Sequence, residues 1–538
     1  MKKSKLLLLF LLLISVLTLA ACDPEQFNNE ETGVDESYLN VDLNQKPTMK
    51  VLFPNSGMAN AEFKENWTTK YFENLTGYKV EYEQDLSGDS SFVTNILTTK
   101  QPYHMLKLES GNYLQLVSDG SFTDLKPFLE KYGQNLLSTI PQDAWDSVTI
   151  DGKIYAVPET GFEGALMSYA LVWNLDQLSA VGINEIPDTI GEVDHAFHKL
   201  QEKYGVNGSA YHAFAMQGSQ AYISTLASAF ELNENFHVND EGKVEHVMYT
   251  EEYLKYTKWM HGLVSSSIIS RSWQGYTAND IVSNFAKGEI GCGYINYWSI
   301  NSLVSKIAAQ HGITEEEAKA KIGWTLYVKG DGACGSAVQD EPKYVAYRST
   351  GYYCTVPIHM AKYAAYVVNW MDQRITTEAF EGYRLGDEGV HYNFGTAADE
   401  GAIKVMISGQ EKYVILTDKY TEEILPTSMY QTGVNPQVGA NLWILSEQSY
   451  NAWDIYFTPD AEHSIGNAIS MAPYIEGWSE IDIASRSWVL TLEQQLFNAQ
   501  SDAQYERILS SLRTAWPSRY WTAEVDANVQ AWHQSKQQ

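Results

Sequence analysis

Several signatures that would name an enzyme are missing from this chain of 538 residues. There is no Gly-x-Ser-x-Gly turn to expose a serine nucleophile, no His-Glu-x-x-His pair for zinc and no phosphate-binding loop. The Asp-x-Asp-x-Asp-Gly pattern of a calcium loop is also missing. Cysteine is scarce, with four in all and no metal-type spacing, so no metal or cofactor is called for. Basic residues are few: 37 Lys and Arg stand against 67 Asp and Glu, a net charge of −30. Such a surface repels nucleic acid and anionic headgroups, which disfavours a nucleic-acid partner. There is no internal repeat and no second long apolar run.

What is present begins at the N-terminus. Lys2, Lys3 and Lys5 form a positive head, residues 6–17 an apolar run broken only by Ser15, and Leu19-Ala20-Ala21-Cys22 closes it. These are the parts of a secretory signal, and the run is short of the roughly 20 apolar residues a bilayer span needs. The ending resembles the bacterial lipobox, which implies cleavage before Cys22 and lipid on that cysteine. More than one acyl chain gives a lasting anchor. The expectation is an exported chain tethered to the extracytoplasmic face of the cell membrane, away from any ATP or NAD pool. Cys292, Cys334 and Cys354 remain, read as buried thiols with a Cys334–Cys354 bridge as the other reading.

Residues 23–48 carry seven acids and one lysine and read as a flexible acidic spacer. An α/β rhythm follows. Residues 49–53 make an apolar strand, and Phe63, Trp67, Tyr71 and Leu75 recur at helical spacing. Thr76-Gly77 stops that helix, residues 78–84 alternate as a second strand, residues 92–97 open another helix, and residues 104–108 form a third strand. Strand, loop and helix repeated this way imply a parallel sheet with helices on both faces, and ligands in such sheets sit at the carboxyl ends of strands. The predicted loops 87–90 and 109–112 make Asp89, Glu109 and Asn112 site candidates. Farther on, residues 193–204, 251–263 and 313–321 read as helices, 288–295 as a glycine-flanked strand, and 490–516 as mostly helical up to Pro517.

Fifteen Trp and 35 Tyr exceed what a core needs, and flat rings with polar tips suit the faces of sugars. Strand alternation puts Tyr294, Asn296 and Trp298 on one face, which reads either as a sugar-stacking ladder or as a half-buried strand. Trp273 and Trp478 lie in turn-rich segments and are expected to be exposed as cleft wall or lid. His195 and His198 are three apart on a helix, but Glu192 and Asp194 beside them make that a surface helix rather than a metal site.

Four stretches carry a family likeness: residues 67–80; residues 120–129 with 151–158 (Asp-Gly-Lys-Ile-Tyr-Ala-Val-Pro); residues 173–182 with Pro187-Asp188-Thr189; and residues 386–392 (Gly-Asp-Glu-Gly-Val-His-Tyr). In these the chain resembles the larger extracellular solute-binding lipoproteins of bacterial ABC importers, the group serving sugars and oligosaccharides. It departs from the family at Tyr103-His104, where Pro-Asp is usual. The resemblance implies an α/β fold of two lobes like periplasmic binding proteins, joined by a hinge and closing on a ligand cleft. It implies a signal at 1–22, the spacer at 23–48, the first lobe at 49–160, the second at 161–340, a return to the first at 341–435, and a C-terminal helical part at 436–538 packing mainly on the second lobe. Glu159 would sit where the first crossing meets the cleft. The function implied is capture of a carbohydrate, an oligosaccharide above all, and its delivery to ABC permease subunits, with no chemistry on the ligand. A lipid-anchored glycoside hydrolase, a lectin-like adhesin and a binding protein for peptides are the rival readings, since 67 acids always supply carboxylate pairs.

Overall fold

The computed structural model describes residues 35–536 apart from 55–65, 86–89, 161–168, 207–208, 220–221, 233–234, 297–298, 346–349, 425–463 and 466–474. It begins with a correction. Residues 35–48, expected as part of a flexible spacer, are laid down on the first lobe. The Lys131 ammonium and the Tyr132 hydroxyl donate to the Leu39 carbonyl at 2.7 and 2.6 Å, and Lys46 donates to the Thr76 carbonyl at 2.6 Å. Tyr38, Leu39 and Val41 pack on the core. Three apolar side chains and three charged or phenolic donors hold a segment that composition alone reads as solvated.

The first lobe then builds strand β1 (Met49–Pro54), helix α1 (Trp67–Thr76), β2 (Val80–Asp85), α2 (Ser90–Thr98), β3 (Met105–Glu109), α3 (Ser110–Ser118), α4 (Lys126–Tyr132) and β4 (Val157–Thr160). Gly77 caps α1 at φ +68°, the left-handed conformation that the Thr-Gly stop predicts. β1 runs parallel to β2 and β3, as the rhythm requires. The expected loop at 109–112 is absent, because Ser110 opens α3 directly with Glu109 at its cap.

The second lobe follows with β5 (Tyr169–Asn174), α5 (Ile190–Tyr204), β6 (His212–Ala215), α6 (Ser224–Ala227), α7 (Glu251–Ser265), α8 (Ala278–Ala286), β7 (Ile290–Asn296), α9 (Ile300–His311) and β8 (Ile322–Thr325). Its sheet runs β8-β5-β7-β6, with β5 antiparallel to both β7 and β8. All seven residues of β7 are buried, so helices cover both faces of this strand. Gly291 is what lets them close, since a Cβ there would meet the Tyr211 hydroxyl at 2.5 Å and Leu200 at 2.9 Å.

A short strand β9 (Tyr344–Val345) leads back, and β10 (Thr350–Thr355) enters the first sheet between β3 and β4, antiparallel to both. That sheet is therefore mixed rather than all parallel. Helices α10 (Ala364–Arg374) and α11 (Thr377–Leu385) follow, then an antiparallel sheet of β11 (Tyr392–Gly395), β12 (Ile403–Ile407) and β13 (Gln410–Leu416). The last strand described, β14 (Ser464–Ile465), pairs in parallel with β9.

The C-terminal helices are α12 (Trp478–Ala484), α13 (Leu490–Phe497), α14 (Asp502–Arg519) and α15 (Ala523–Lys536). They pack on α7 through three polar contacts spaced four residues apart. Tyr253 donates to Glu493 at 2.8 Å, Thr257 and Tyr505 share a hydrogen bond at 2.7 Å, and His261 meets the Phe497 carbonyl at 3.1 Å. Pro517, expected to end the last helix, lies inside α14. Proline removes the bond to the carbonyl four residues back, and the Tyr249 hydroxyl donates to that Arg513 carbonyl instead at 2.9 Å. Among the described residues no helix is long and apolar enough to cross a membrane.

Candidate functional site

Strand register puts the carboxyl ends of β1, β2, β3 and β4 on one edge of the first sheet, with the start of β10 beside them. In the second sheet Tyr169 opposes Asn296, Leu171 opposes Thr325, and Ala215 pairs with Gly293. The start of β5 and the carboxyl ends of β6, β7 and β8 thus share one edge. Thr160 and Tyr169 are nine residues apart in the chain, a reach of at most about 30 Å, and Val345 and Thr350 at most about 18 Å. The two edges therefore lie within about 30 Å of each other where the chain crosses. The candidate site lies between them.

On the second-lobe side Tyr294 is buried, its ring stacked on Tyr169 with centroids 5.0 Å apart and its hydroxyl 3.0 Å from that of Ser224. Asn296, two residues on, is 2% exposed, and its Oδ1 has no hydrogen-bond partner among the described residues. A buried amide oxygen left unpaired costs about 1–3 kcal/mol, so this atom is suited to a donor brought from outside. α6 touches both β5 and β9, and Tyr344 of β9 meets Tyr327 edge-on at 4.8 Å. Tyr169, Ser224, Tyr327 and Tyr344 were not singled out from sequence. The one available signal was that each opens or flanks an element at this edge.

On the first-lobe side Glu159 is held rather than offered. Its carboxylate meets Lys107 Nζ at 2.5 Å, both side chains nearly buried, and Lys107 also lies 4.5 Å over the Tyr352 ring. Arg374 lies behind, 1% exposed and sandwiched by Phe72 and Trp370 at 4.1 and 4.2 Å. A cavity of about 20 Å³, room for one water, is bounded by Glu159, Cys354, Pro158 and Met371. Burial pushes the Cys354 thiol up to about 12. Cys334 is pushed to about 12 as well, by burial and by Asp194. All three cysteines described are free thiols, with no Cys334–Cys354 bridge. Glu109 is exposed at the head of α3 and Asn112 half-buried in its first turn, both at the edge that faces the second lobe.

Two aromatics lie elsewhere. Trp273, expected to be exposed, has no exposed surface and packs on Phe497 at 6.0 Å. Trp478 is 3% exposed and packs on Phe236 at 5.1 Å. A turn-rich neighbourhood suggested exposure, but Phe497 of α13 covers the Trp273 ring, and the Trp478 ring, at the head of α12, is turned onto Phe236. Asp89, Trp298 and the lipobox Cys22 lie outside the described residues. His195 and His198 are exposed on α5, and among the described residues no group of three metal-type ligands is found.

The four stretches that carried the resemblance are staples of the fold. Trp67 donates to Asp387 at 3.1 Å and meets His391 edge-on, joining the first and last. Asp124 accepts from the Ile154 amide at 3.1 Å, and Lys126 donates to the Gly152 carbonyl at 3.0 Å, joining the halves of the second. Trp173 donates to Thr325, whose hydroxyl donates to the Pro187 carbonyl, joining the halves of the third.

Comparison with known proteins agrees with this architecture. Residues 67–348 match the bacterial extracellular solute-binding protein family. Among solved structures, the S. pneumoniae ABC-transporter substrate-binding protein FusA in complex with kestose has a TM-score of 0.60 at 14% identity, covering 91% of this chain and 99% of that one. An HMO-binding ABC-transporter-associated solute-binding protein from Bifidobacterium longum infantis gives 0.60 at 15%, covering 91% and 98%. An extracellular solute-binding protein from Bifidobacterium longum subsp. infantis gives 0.60 at 15%, covering 93% and 100%. At such identities the likeness is one of fold, the two-lobed form of periplasmic binding proteins. Among curated proteins no sequence matches this chain.

Proposed function

Because the chain belongs to the bacterial extracellular solute-binding protein family, we propose that it captures a carbohydrate, an oligosaccharide above all, between its lobes and hands it to the permease of an ABC importer. Lipid on Cys22 holds it at the membrane. The observation that carries the sugar reading is the uncharged group at the edge of the second sheet: stacked Tyr169 and Tyr294, the Ser224 hydroxyl, and the unpaired buried amide oxygen of Asn296. A sugar offers apolar C–H faces to rings and O–H donors to an amide oxygen, and it brings no charge that would need neutralising. The similar structures bearing kestose or named for HMO binding support the same ligand class.

The mechanism follows from the two edges. In the open form the ligand lies on the tyrosine pair, and Asn296 takes one hydroxyl. Closure of the two lobes brings Glu109, Asn112 and Tyr352 toward it. Ligand shifts the open–closed balance only by its difference in affinity for the two forms, which is what lets a permease sense occupancy. No bond of the ligand is made or broken.

The test is thermal unfolding of the mature chain against a panel including kestose, maltose-type and milk-type oligosaccharides, with each sugar recovered and analysed. A bound sugar at about 100 times Kd adds roughly 2.7 kcal/mol of stability. Asn296→Ala should weaken that sugar about tenfold while the unliganded Tm moves little. A sugar returned shorter would make the chain a hydrolase. Absence of any shift across the panel would remove the carbohydrate reading.

A further inference from the structure

The C-terminal helices touch both lobes, and they are fastened to the two in different ways. On the second-lobe side, the Gln530 side chain of α15 accepts from the Val244 amide at 2.9 Å and donates to the Val244 carbonyl at 2.8 Å. It thereby satisfies both backbone groups of one residue in the antiparallel pair Phe236–Val238 and Val244–His246. Trp478 of α12 and Trp521, between α14 and α15, pack on Phe236 at 5.1 and 5.6 Å. α12 is tied to α15 in turn. Asn528 donates to the Glu476 carbonyl at 3.3 Å, and a Cβ on Gly477 (φ +81°) would meet Val525 at 2.7 Å. Together with the contacts of α7, these bonds make α12 to α15 part of the second lobe's body.

On the first-lobe side the same helices make two contacts. α12 lies against α3, the helix that starts at the cleft-side edge. The Lys536 ammonium, on the last residue of α15, meets the Asp146 carboxylate at 2.5 Å. Asp146 belongs to the short helix Gln142–Ser147, which packs on β4 through a segment holding the buried Trp145. Gln142 donates to the second carboxylate oxygen at 2.9 Å and so holds Asp146 in place for Lys536.

The two sides differ in what parts them. Tyr253 with Glu493 and Thr257 with Tyr505 are buried, so separating either pair leaves polar groups without water. Lys536 and Asp146 keep 39% and 35% of their side-chain surface, so water takes the place of each partner at little cost. When the lobes rotate, the joint yields on the first-lobe side.

We propose that α12 to α15 travel with the second lobe and that the Lys536–Asp146 pair is a releasable latch, holding the first lobe in the arrangement described. This rests on the lobes moving about a cleft and not on the ligand being a sugar. A half-exposed ion pair shifts a two-state balance by only a few fold. The apparent affinity for any ligand scales with the fraction of the chain in the binding form, so Lys536 tunes capture without touching Tyr294 or Asn296.

The test is a spin-label distance measurement on the ligand-free mature chain carrying Cys22→Ser and Cys334→Ser. The labels sit at Glu130→Cys on α4 and Gln310→Cys on α9, both exposed positions. Lys536→Glu should at least double the share of distances outside the main one. Salt at 1 M, which shortens the screening length to about 3 Å, should do the same to the unaltered latch. The exchanged pair Asp146→Lys, Lys536→Asp should restore the original distribution, which it would not do if the substitution had only loosened the helix end. A distribution unchanged by Lys536→Glu, or one that the exchange fails to restore, would overturn the proposal. The thermal shift with oligosaccharides reports separately on ligand class: a latch that responds as described in a chain no sugar stabilises would keep the latch and remove the sugar.

Discussion

At the first lobe's cleft-side edge and just behind it, the sheet and α10 bury Lys107, Glu159 and Arg374. At the matching edge of the second lobe, Tyr169, Tyr294, Ser224 and Asn296 carry no charge at all. The contrast divides the labour. Charge fixes the strand from which the chain crosses, since a buried ion pair is unforgiving of movement between its partners. Neutral rings and amides suit a neutral ligand that must also leave. The first lobe's edge thus rests on ion pairing, and the second lobe's on stacked rings and neutral hydrogen bonds.

The largest expected effect tests that pairing. Glu159→Ala leaves Lys107 buried without its carboxylate and should destabilise the chain by about 3–5 kcal/mol in urea unfolding. The double variant Lys107→Met, Glu159→Gln should recover most of the loss, because removing both charges removes the uncompensated one. A single variant of unchanged stability would mean that the pair does not hold the crossing strand.

Acid should act on the second lobe instead. Burial, with a smaller contribution from His237, holds the His246 imidazole at about 3. Its ring packs against Phe236 and Trp516. Unfolded histidine titrates near 6.5, so between those values the unfolded chain binds a proton that the folded chain refuses. The stability concerned is full above about pH 6.5 and is lost as pH falls toward 3, roughly 3 kcal/mol of it by pH 4. Urea midpoints measured from pH 7 to 4 should fall, and His246→Gln should flatten that slope. An unchanged slope would assign the acid sensitivity to carboxylates.

The smallest effect sharpens the neutral side. Tyr294→Phe loses the bond to Ser224, worth about 1 kcal/mol, and keeps the stack on Tyr169. Stability should drop by that amount and sugar affinity by a few fold. A loss as large as that of Glu159→Ala would erase the distinction between the lobes.

Much of the first lobe was legible because its signals are local. Trp67, Tyr71 and Leu75 share a helical period, Gly77 stops the helix, and β1, β2 and β3 alternate with helices as read, within a residue or two. The site was legible only in part. Tyr294 and Asn296 lie at the end of β7, a strand as read, but Glu159 is tied to Lys107, and Trp273 and Trp478 are sealed by Phe497 and Phe236, each distant in the chain. Turn-rich sequence predicts a loop and says nothing of what packs over it. The same gap made residues 35–48 look like spacer, since Tyr132, Lys131 and Thr76, which receive them, lie about 30 to 90 positions away.

The sequence by itself determined the acidity, the α/β rhythm and the likeness that proved to be membership of the family, because each is written in neighbouring residues or in totals. Only the tertiary structure decided which aromatics are buried, which carboxylate is paired, and where the entering chain is fastened. Those depend on contacts between segments distant in the chain, such as Trp273 on Phe497. No local pattern encodes the partner of a side chain that distant, because burial and pairing are set by packing of whole elements against one another.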